Sequence, residues 1–254
     1  MTQTRISVTG VPVDNIDMDG VVDHARGVIE SGQQCTIFAM NPEKAIAALE
    51  NSELYECLSA AGLLIPDGIG IILAARLLGI SIAERVPGSE LMPRLCKMAA
   101  DRGFGIFLFG AKEDINKKAA DRLIARYPGL VIAGRQNGYV ADDEMPELIQ
   151  RINESGAKLL FVALGSPKQE FWMQRHKDRL KVSILQGVGG TFDVISGNVK
   201  RAPKLWRTLN LEWLYRLLSQ PNRLMRQTRL PAYVWLVLRT RMGLTDQTVH
   251  RQFK

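Results

Sequence analysis

An aspartate after a short apolar run is the first residue in the chain whose position suits chemistry. Asp67 directly follows Leu63–Pro66 and precedes Gly68. A carboxylate at the end of a strand can accept a proton from an attacking hydroxyl. Asp-Gly is also among the commonest turn pairs, so a turn or helix-cap role explains the residue equally well at this point. Asp67 is therefore a candidate general base with a plain structural alternative.

A glycine cluster is the second candidate feature. Gly187, Gly189 and Gly190 follow the apolar run Ser183–Gln186, and their backbone N–H groups can approach a phosphate without an intervening Cβ. The pattern is neither GxGxxG nor GxxxxGK[ST], so it supports neither a nicotinamide cofactor nor ATP. A tight turn accounts for the glycines equally well. Asp193, shortly afterwards, could hold a sugar or ribose hydroxyl, or could cap a helix.

Three further polar side chains suit ligand recognition. Gln169 offers both a donor and an acceptor for a hydroxyl, and simple surface exposure is its alternative. Arg85 and Arg201 each carry a planar, permanently charged guanidinium group, which suits binding of a pyrophosphate or a carboxylate. A single arginine is also commonly a surface residue.

Metal and nucleophilic chemistry find little support in the sequence. The histidines His24, His176 and His250 do not lie at metal-binding spacing with a cysteine or with each other. Asp17 and Asp19 form a DxD pattern, but they lie where a helix begins, which favours helix capping. A Ser-His-Asp triad lacks a GxSxG elbow. We expect neither a metal site nor a cofactor.

The elements that must position these residues follow an α/β pattern. Up to about residue 200, short apolar runs alternate with helix-length amphipathic stretches, which predicts a mostly parallel sheet. In such sheets ligands bind outside the carboxyl ends of the strands. Asn41-Pro42 and Ser166-Pro167 read as helix starts with a capping side chain before proline. The predicted strands are Thr36–Ala39, Leu63–Ile65, Gly105–Phe109, Val131–Ala133, Leu159–Ala163 and Ser183–Gln186, and two predicted helices are Glu90–Arg102 and Lys112–Arg126.

Bulk composition indicates an ordinary globular chain. Its 254 residues are 46% hydrophobic and 23% charged, enough for one large domain or one domain with an appendage. The first residues lack a basic stretch followed by an apolar run, so secretion is not expected. Cys35, Cys57 and Cys96 are odd in number and lie in apolar contexts, which predicts reduced thiols in a cytoplasmic protein.

The last quarter of the chain is strongly basic. Residues 201–254 contain eleven Lys or Arg and two Asp or Glu, a net charge of +9, whereas residues 1–200 carry a net charge of −2. Aromatic and aliphatic residues run through this basic tail, which favours a membrane lipid surface. Core packing explains Leu209–Leu218 equally well, and the motifs of nucleic-acid binding proteins are missing. No apolar run approaches the ~20 residues that span a bilayer, so we expect peripheral membrane contact.

Together these segments resemble one enzyme family. From about residue 8 to residue 240 the chain is similar to the WecG/TagA/CpsF glycosyltransferases. Leu211–Pro221 and Thr36–Asn41 look most like the enterobacterial common antigen branch, whereas the teichoic acid branch usually has threonine where this chain has Ala39. The ordered motifs are Met40–Lys44, Pro66–Gly70, Arg85–Gly88, Ala163–Glu170, Gly187–Asp193 and Lys200–Pro203.

The resemblance implies an architecture and a set of roles. It implies a Rossmann-like α/β catalytic body over residues 1–200, with helices on both faces of a mostly parallel sheet. It also implies a helical basic appendage over residues 201–254 that engages the membrane and helps complete the site. It also implies inverting, metal-independent chemistry with Asp67 as general base. The other implied site residues are Asn41, Arg85 and Gln169, which line the sugar and acceptor crevice, and Arg216, Arg223 and Arg226, which close over the nucleotide diphosphate.

The function that the resemblance implies is transfer of a sugar in cell-surface polysaccharide assembly. The favoured donor is UDP-N-acetyl-D-mannosaminuronic acid, and the acceptor is undecaprenyl-diphosphate-linked N-acetylglucosamine at the inner face of the cytoplasmic membrane. UDP-N-acetylmannosamine or UDP-glucose is the alternative donor, and a non-catalytic module that binds anionic surfaces is the alternative class. Nucleic acid is not an expected partner, and the sequence leaves the oligomeric state open.

Overall fold

The computed structural model describes residues 4–208, 211–219 and 228–244. The six strands predicted from the sequence are all present within these ranges, and each runs parallel to its neighbours. An N-terminal pair of antiparallel strands precedes them. The strands are β1 Thr4–Val8, β2 Val11–Asn15, β3 Cys35–Met40, β4 Leu63–Pro66, β5 Gly105–Gly110, β6 Val131–Gln136, β7 Leu159–Ala163 and β8 Ile184–Gly187.

The helices complete an α/β fold with layers on both faces of the sheet, as predicted. Helices α2, α3, α4, α7 and α8 pack on one face, and α1, α5, α6 and α9 pack on the other. The helices are α1 Met18–Glu30, α2 Pro42–Glu50, α3 Ser52–Ser59, α4 Ile69–Leu77, α5 Gly88–Arg102, α6 Glu113–Arg126, α7 Met145–Glu154, α8 Lys168–His176, α9 Thr191–Ile195, α10 Lys204–Thr208, α11 Glu212–Ser219 and α12 Arg229–Arg241.

The parallel sheet has the strand order β4-β3-β8-β7-β5-β6. Successive side chains alternate between its two faces, so Phe38 and Met40 of β3 enter one hydrophobic core while Ile37 enters the other. Burial on both faces explains why these strands read as continuous apolar runs in the sequence. The order brings the ends of β4, β3 and β8 side by side at the carboxyl edge.

Helix starts confirm one of the two predicted capping signals. Asn41 caps α2 with Pro42 at its first position, as expected. The expectation for Ser166-Pro167 is wrong, because α8 is preceded by Pro167 as N-cap and has no side-chain capping bond. A backbone acceptor serves instead, since the N–H of Gln169 donates to the carbonyl of Gly165 at 2.9 Å.

The N-terminal hairpin was not predicted from the sequence. Strand β2 contains Pro12, Asp14 and Asn15, which are residue types depleted in strands and which hide the pattern. The hairpin is held to the body by Asp14, which is fully buried and pairs with Arg5 at 2.9 Å. The same carboxylate accepts the N–H of Leu64 in β4 at 2.7 Å.

The basic tail contributes α10, α11 and α12 to the described structure. Helix α12 packs on α2, with Tyr233 and Val237 buried in the same core as the body, and Arg229 pairs with Glu50 at 3.0 Å. No helix of the described ranges is long and apolar enough to cross a membrane. The three cysteines are buried free thiols, as predicted, and burial raises the pKa of both Cys35 and Cys57 to about 12.

Candidate functional site

The ends of β3 and β4 bring two predicted site residues together. The N–H groups of Asp67 and Gly68 both donate to the carbonyl of Met40, at 3.0 and 3.2 Å. A Cβ on Gly68 would lie 2.7 Å from Cδ of Pro42, so only glycine lets the two turns pack this closely. The backbone of Asp67 is therefore fixed beside that of Asn41.

Asp67 is half-buried at this edge and faces the start of α5. Its Oδ1 accepts the N–H of Gly88 at 3.1 Å. The N–H of Val86 in turn donates to the carbonyl of Pro66 at 2.9 Å, so the segment before α5 folds across the end of β4. A carboxylate held at a helix N-terminus interacts favourably with the helix dipole, and this geometry suits a fixed proton acceptor.

Asn41 is tied to the helix that follows it. Its Oδ1 accepts the N–H of Lys44 at 2.8 Å, which satisfies one of the N–H groups at the start of α2. The side chain is half-buried and lies next to the turn that carries Asp67. Capping thus fixes the orientation of Asn41 at the carboxyl edge.

Gln169 lies beneath the glycine loop that follows β8. Its Oε1 accepts the N–H of Gly189 at 3.0 Å, and its Nε2 donates to Glu170 at 3.1 Å. A Cβ on Gly187 would lie 2.7 Å from Nε2 of Gln169, and Gly189 has a φ of +52°. The glycines are explained by close approach and by backbone conformation, and the buried Gln169 supports the loop from below.

The remaining loop residues lead into α9. Gly190 is the N-cap residue of α9, without a side-chain capping bond. Asp193 lies in the first turn of α9, where its Oδ1 accepts from Nδ2 of Asn198 at 3.2 Å. The carboxylate of Asp193 thus closes the turn that follows the helix.

Arg85 and Arg201 both pair with carboxylates. Arg85 lies 3.6 Å from Glu212 of α11, and the two side chains are only 17% and 10% exposed. Arg201 pairs with Glu90 in the first turn of α5. Residues 85–90, here called the α5 entry segment, contact Asp67 through Gly88. The two ion pairs connect this segment with α11 and with Arg201, which precedes α10.

The other predicted arginines lie beyond what the structure describes. Arg216 belongs to α11, but its side chain is outside the described atoms. Arg223 and Arg226 both lie outside the described residues. Closure of these arginines over a diphosphate remains a prediction.

A buried ion pair near the site was not predicted as functional. Lys44 Nζ lies 2.6 Å from Glu170 Oε1, and both side chains are buried. Burial disfavours ionisation of Glu170, but the charge of Lys44 and hydrogen bonds from Lys44 and Gln169 outweigh it and hold the pKa of Glu170 below its ordinary value. Sequence periodicity gives the face of a helix but not how deeply a charged residue is buried, so neither residue stood out.

An apolar groove lies between α4 and α12, and α4 directly follows the turn that carries Asp67. Several of its side chains are exposed. Because Gly70 lines the groove and other lining side chains are exposed, the groove extends from the motif Pro66–Gly70 to the protein surface. Its lining residues are Gly70, Leu73, Ala74, Leu77, Tyr233, Val234, Val237 and Leu238.

The DxD pattern serves structure rather than the site. Asp17 Oδ1 accepts the N–H of Gly20 at 2.7 Å and caps α1, as predicted, while Asp19 pairs with Arg94 at 3.0 Å. Across the described ranges, no three His, Cys, Asp or Glu side chains are grouped for metal binding. The charged groups described above at the carboxyl edge are two arginines with their paired glutamates, and the carboxylates of Asp67 and Asp193.

Comparison with known proteins gives the family. Residues 6–247 match the model of the glycosyl transferase WecG/TagA/CpsF family. The chain is 34% identical over 234 residues to the N-acetylglucosaminyldiphosphoundecaprenol N-acetyl-beta-D-mannosaminyltransferase of Bacillus subtilis, covering 92% of this chain and 91% of that protein. It is 36% identical to the protein of the same name from Bacillus spizizenii, covering 90% of each. The chain belongs to the WecG/TagA/CpsF family of glycosyltransferases.

Proposed function

We propose that this glycosyltransferase moves an N-acetylmannosamine-type sugar from UDP to undecaprenyl-diphosphate-linked N-acetylglucosamine, with inversion at the sugar carbon. The observation that carries the proposal is the match, over nine tenths of each protein, to two relatives whose name gives N-acetylmannosamine as the transferred sugar and N-acetylglucosaminyldiphosphoundecaprenol as the acceptor. The proposed site of the reaction is the carboxyl edge of the parallel sheet, where Asp67 lies. The product would be extended in cell-surface polysaccharide assembly.

In the proposed reaction Asp67 accepts the proton of the acceptor hydroxyl as that oxygen attacks the anomeric carbon. UDP leaves from the opposite face, so a single displacement inverts the configuration. Negative charge grows on the departing diphosphate and must be met by fixed cations and N–H groups. Arg85, Arg201 and the N–H of Gly190 are the candidate groups at this sheet edge, since the N–H groups of Val188 and Gly189 already donate to Val162 and Gln169.

The donor sugar is the finer part of the proposal. The names of the two relatives favour N-acetylmannosamine. N-acetyl-D-mannosaminuronic acid rests on the likeness of Leu211–Pro221 and Thr36–Asn41 to the enterobacterial common antigen branch. These donors differ in a carboxylate on the sugar, so an enzyme built for the uronic acid needs a cation for that group.

A paired assay tests the proposal. Purified protein is given each UDP-sugar with a short-chain lipid diphosphate N-acetylglucosamine acceptor, and UDP release is measured. We expect acceptor-dependent release with at least one of the two N-acetylmannosamine-type donors, and kcat/KM ranks them. Release from UDP-glucose alone, or no release with any donor, would contradict the proposal.

We further propose that the enzyme contacts the membrane surface through α12. Val234 and Trp235 are exposed on this helix, and Arg239 and Arg241 lie in its last turn. Apolar and cationic groups on one helix suit an anionic lipid surface. A non-catalytic module would also bind such vesicles, but it would release no UDP.

A further inference from the structure

Lys44 contacts two different parts of the candidate site. Its backbone N–H donates to Asn41 Oδ1 at 2.8 Å, at the end of β3. Its Nζ lies 2.6 Å from Oε1 of Glu170, on α8. One residue thus connects the turn beside Asp67 with the helix beneath the glycine loop.

The connection continues from Glu170 to the loop. Oε1 of Glu170 also accepts from Nε2 of Gln169 at 3.1 Å, and Oε1 of Gln169 accepts the N–H of Gly189 at 3.0 Å. These hydrogen bonds, joined through the side chain of Lys44, form a series from Asn41 to Gly189. It joins the ends of β3 and β8, which are neighbours in the sheet.

The charge on Glu170 determines which way the amide of Gln169 points. A carboxylate accepts hydrogen bonds only, so it selects the NH2 end of the amide and turns the oxygen toward the N–H of Gly189. With the amide reversed, its NH2 group would face the N–H of Gly189 and the contact would be lost. Lys44 keeps Glu170 ionised and in place.

Burial indicates that this pair does not touch substrate itself. Lys44 is 7% exposed, Gln169 4% and Glu170 0%. Replacing a buried ion pair by apolar residues of similar size is often neutral or stabilising, so stability alone is a weak reason for the pair. A better reason for the pair is its position between Asn41, at the end of β3, and the glycine loop after β8.

We propose that Lys44 and Glu170 are positioning residues that, through Gln169, fix the Gly187–Gly190 loop relative to Asn41 for binding of the donor diphosphate. The inference rests on the proposed function for the identity of the ligand. The hydrogen-bond series itself depends only on the geometry of the four side chains and the loop.

The test uses matched double substitutions. Lys44→Met with Glu170→Leu removes both charges and the acceptor for Gln169. Arg5→Met with Asp14→Asn is the control, because it removes another ion pair with a fully buried carboxylate, on the N-terminal hairpin. Both proteins are labelled with 15N-glycine, and the Gly189 amide resonance is assigned by its loss in Gly189→Ala.

We expect the first double variant to shift the Gly189 resonance and to weaken UDP binding by about tenfold, as loss of one well-placed hydrogen bond does. KM for the donor should rise in proportion. The control variant should show the parent's Gly189 resonance, UDP affinity and KM for the donor. Glu170→Gln keeps an acceptor of similar shape but loses the charge that selects the NH2 end of Gln169, so its UDP affinity should lie between that of the parent and that of the double variant.

A Gly189 resonance and a UDP affinity that stay unchanged in the folded double variant would overturn the inference. If that variant does not fold, Gln169→Met decides, because it removes both hydrogen bonds of Gln169 and leaves the ion pair intact. An unmoved Gly189 resonance in Gln169→Met overturns the inference equally. If the parent protein does not bind UDP, that result counts against the proposed function. The Gly189 amide resonance of the variants still tests the hydrogen-bond series.

Discussion

At the scale of single residues, Asp67 and Gly88 show how a candidate base is held. The carboxylate of Asp67 accepts an N–H from the first residue of α5, while the backbone N–H of Asp67 donates to the carbonyl of Met40, the last residue of β3. Its strand-end position could be predicted because an apolar run ends just before it. Lys44 and Glu170 could not be predicted in the same way, because their importance depends on burial and on contacts across the sheet.

Asp67→Asn should lower kcat by roughly 10²–10⁴-fold, the range for loss of a positioned proton acceptor. The amide oxygen can still accept from Gly88, so the melting temperature should stay close to that of the parent. Asp101→Asn, in an exposed pair with Lys97, is the control and should keep full activity. Near-parental turnover in folded Asp67→Asn would remove this residue from the mechanism.

The buried pair also makes a prediction about pH. The folded-state pKa of Glu170 lies below its ordinary value of 4.5, so its ionisation contributes stability above that value. This contribution is lost as the pH falls through the folded-state pKa. Between about pH 6 and about pH 3 the Lys44→Met/Glu170→Leu protein should therefore lose less stability than the parent in urea titrations. Equal losses would mean that Glu170 is not stabilised in its ionised form.

At the scale of elements, the strands were well predicted and their connections less so. Leu159–Ala163 matches β7 to the residue, because a strand buried on both faces leaves an unmistakable apolar run. The start of α8 was mispredicted, since a backbone carbonyl replaced the expected serine cap. The sequence around Arg85 gives no indication that this residue pairs with α11. Only the rarity of acidic residues in the basic tail makes Glu212 conspicuous.

Glu212→Ala tests whether α11 must dock for activity. Removing a mostly buried partner of Arg85 should loosen α11 over the α5 entry segment and lower kcat/KM by about tenfold. Loss of a mostly buried partner should also lower the melting temperature, so activity is measured at a temperature where circular dichroism shows the variant to be folded. Glu113→Ala breaks the pair with Arg135 at the far end of the sheet and serves as control. Equal activity in both variants would show that α11 docking is irrelevant to catalysis.

At the scale of the whole molecule, the proposed membrane contact can be separated from folding. Truncation after Arg201 also removes the buried Tyr233 and Val237, each of a size that contributes about 1.5–3 kcal/mol, so it changes stability as well. Val234→Glu with Trp235→Glu alters only exposed positions of α12.

This double substitution should abolish sedimentation with anionic vesicles and preserve the melting temperature, because burying two carboxylates in the interface is unfavourable. Ile124→Glu with Tyr139→Glu changes exposed apolar residues elsewhere and should leave vesicle binding intact. Normal vesicle binding by the α12 variant would remove α12 as the contact surface.

The charge distribution predicts the response to chelation. If arginines and backbone N–H groups stabilise the departing diphosphate, transferase activity should persist in excess EDTA. The control is the same assay with added Mg²⁺ or Mn²⁺. Loss of activity in EDTA with recovery on adding either ion would show that a metal balances the diphosphate charge.

The placement of the tryptophans gives the protein an optical property. Trp206, Trp213 and Trp235 all belong to the C-terminal helices, and Trp172 is buried against Phe109 in the body. Trp235 is 59% exposed, so its emission will be red-shifted in water and will move to shorter wavelength in an apolar medium. In a Trp172→Phe protein, tryptophan fluorescence would come from the C-terminal helices alone. The chain thus carries its own reporter for the helices that are proposed to meet the membrane.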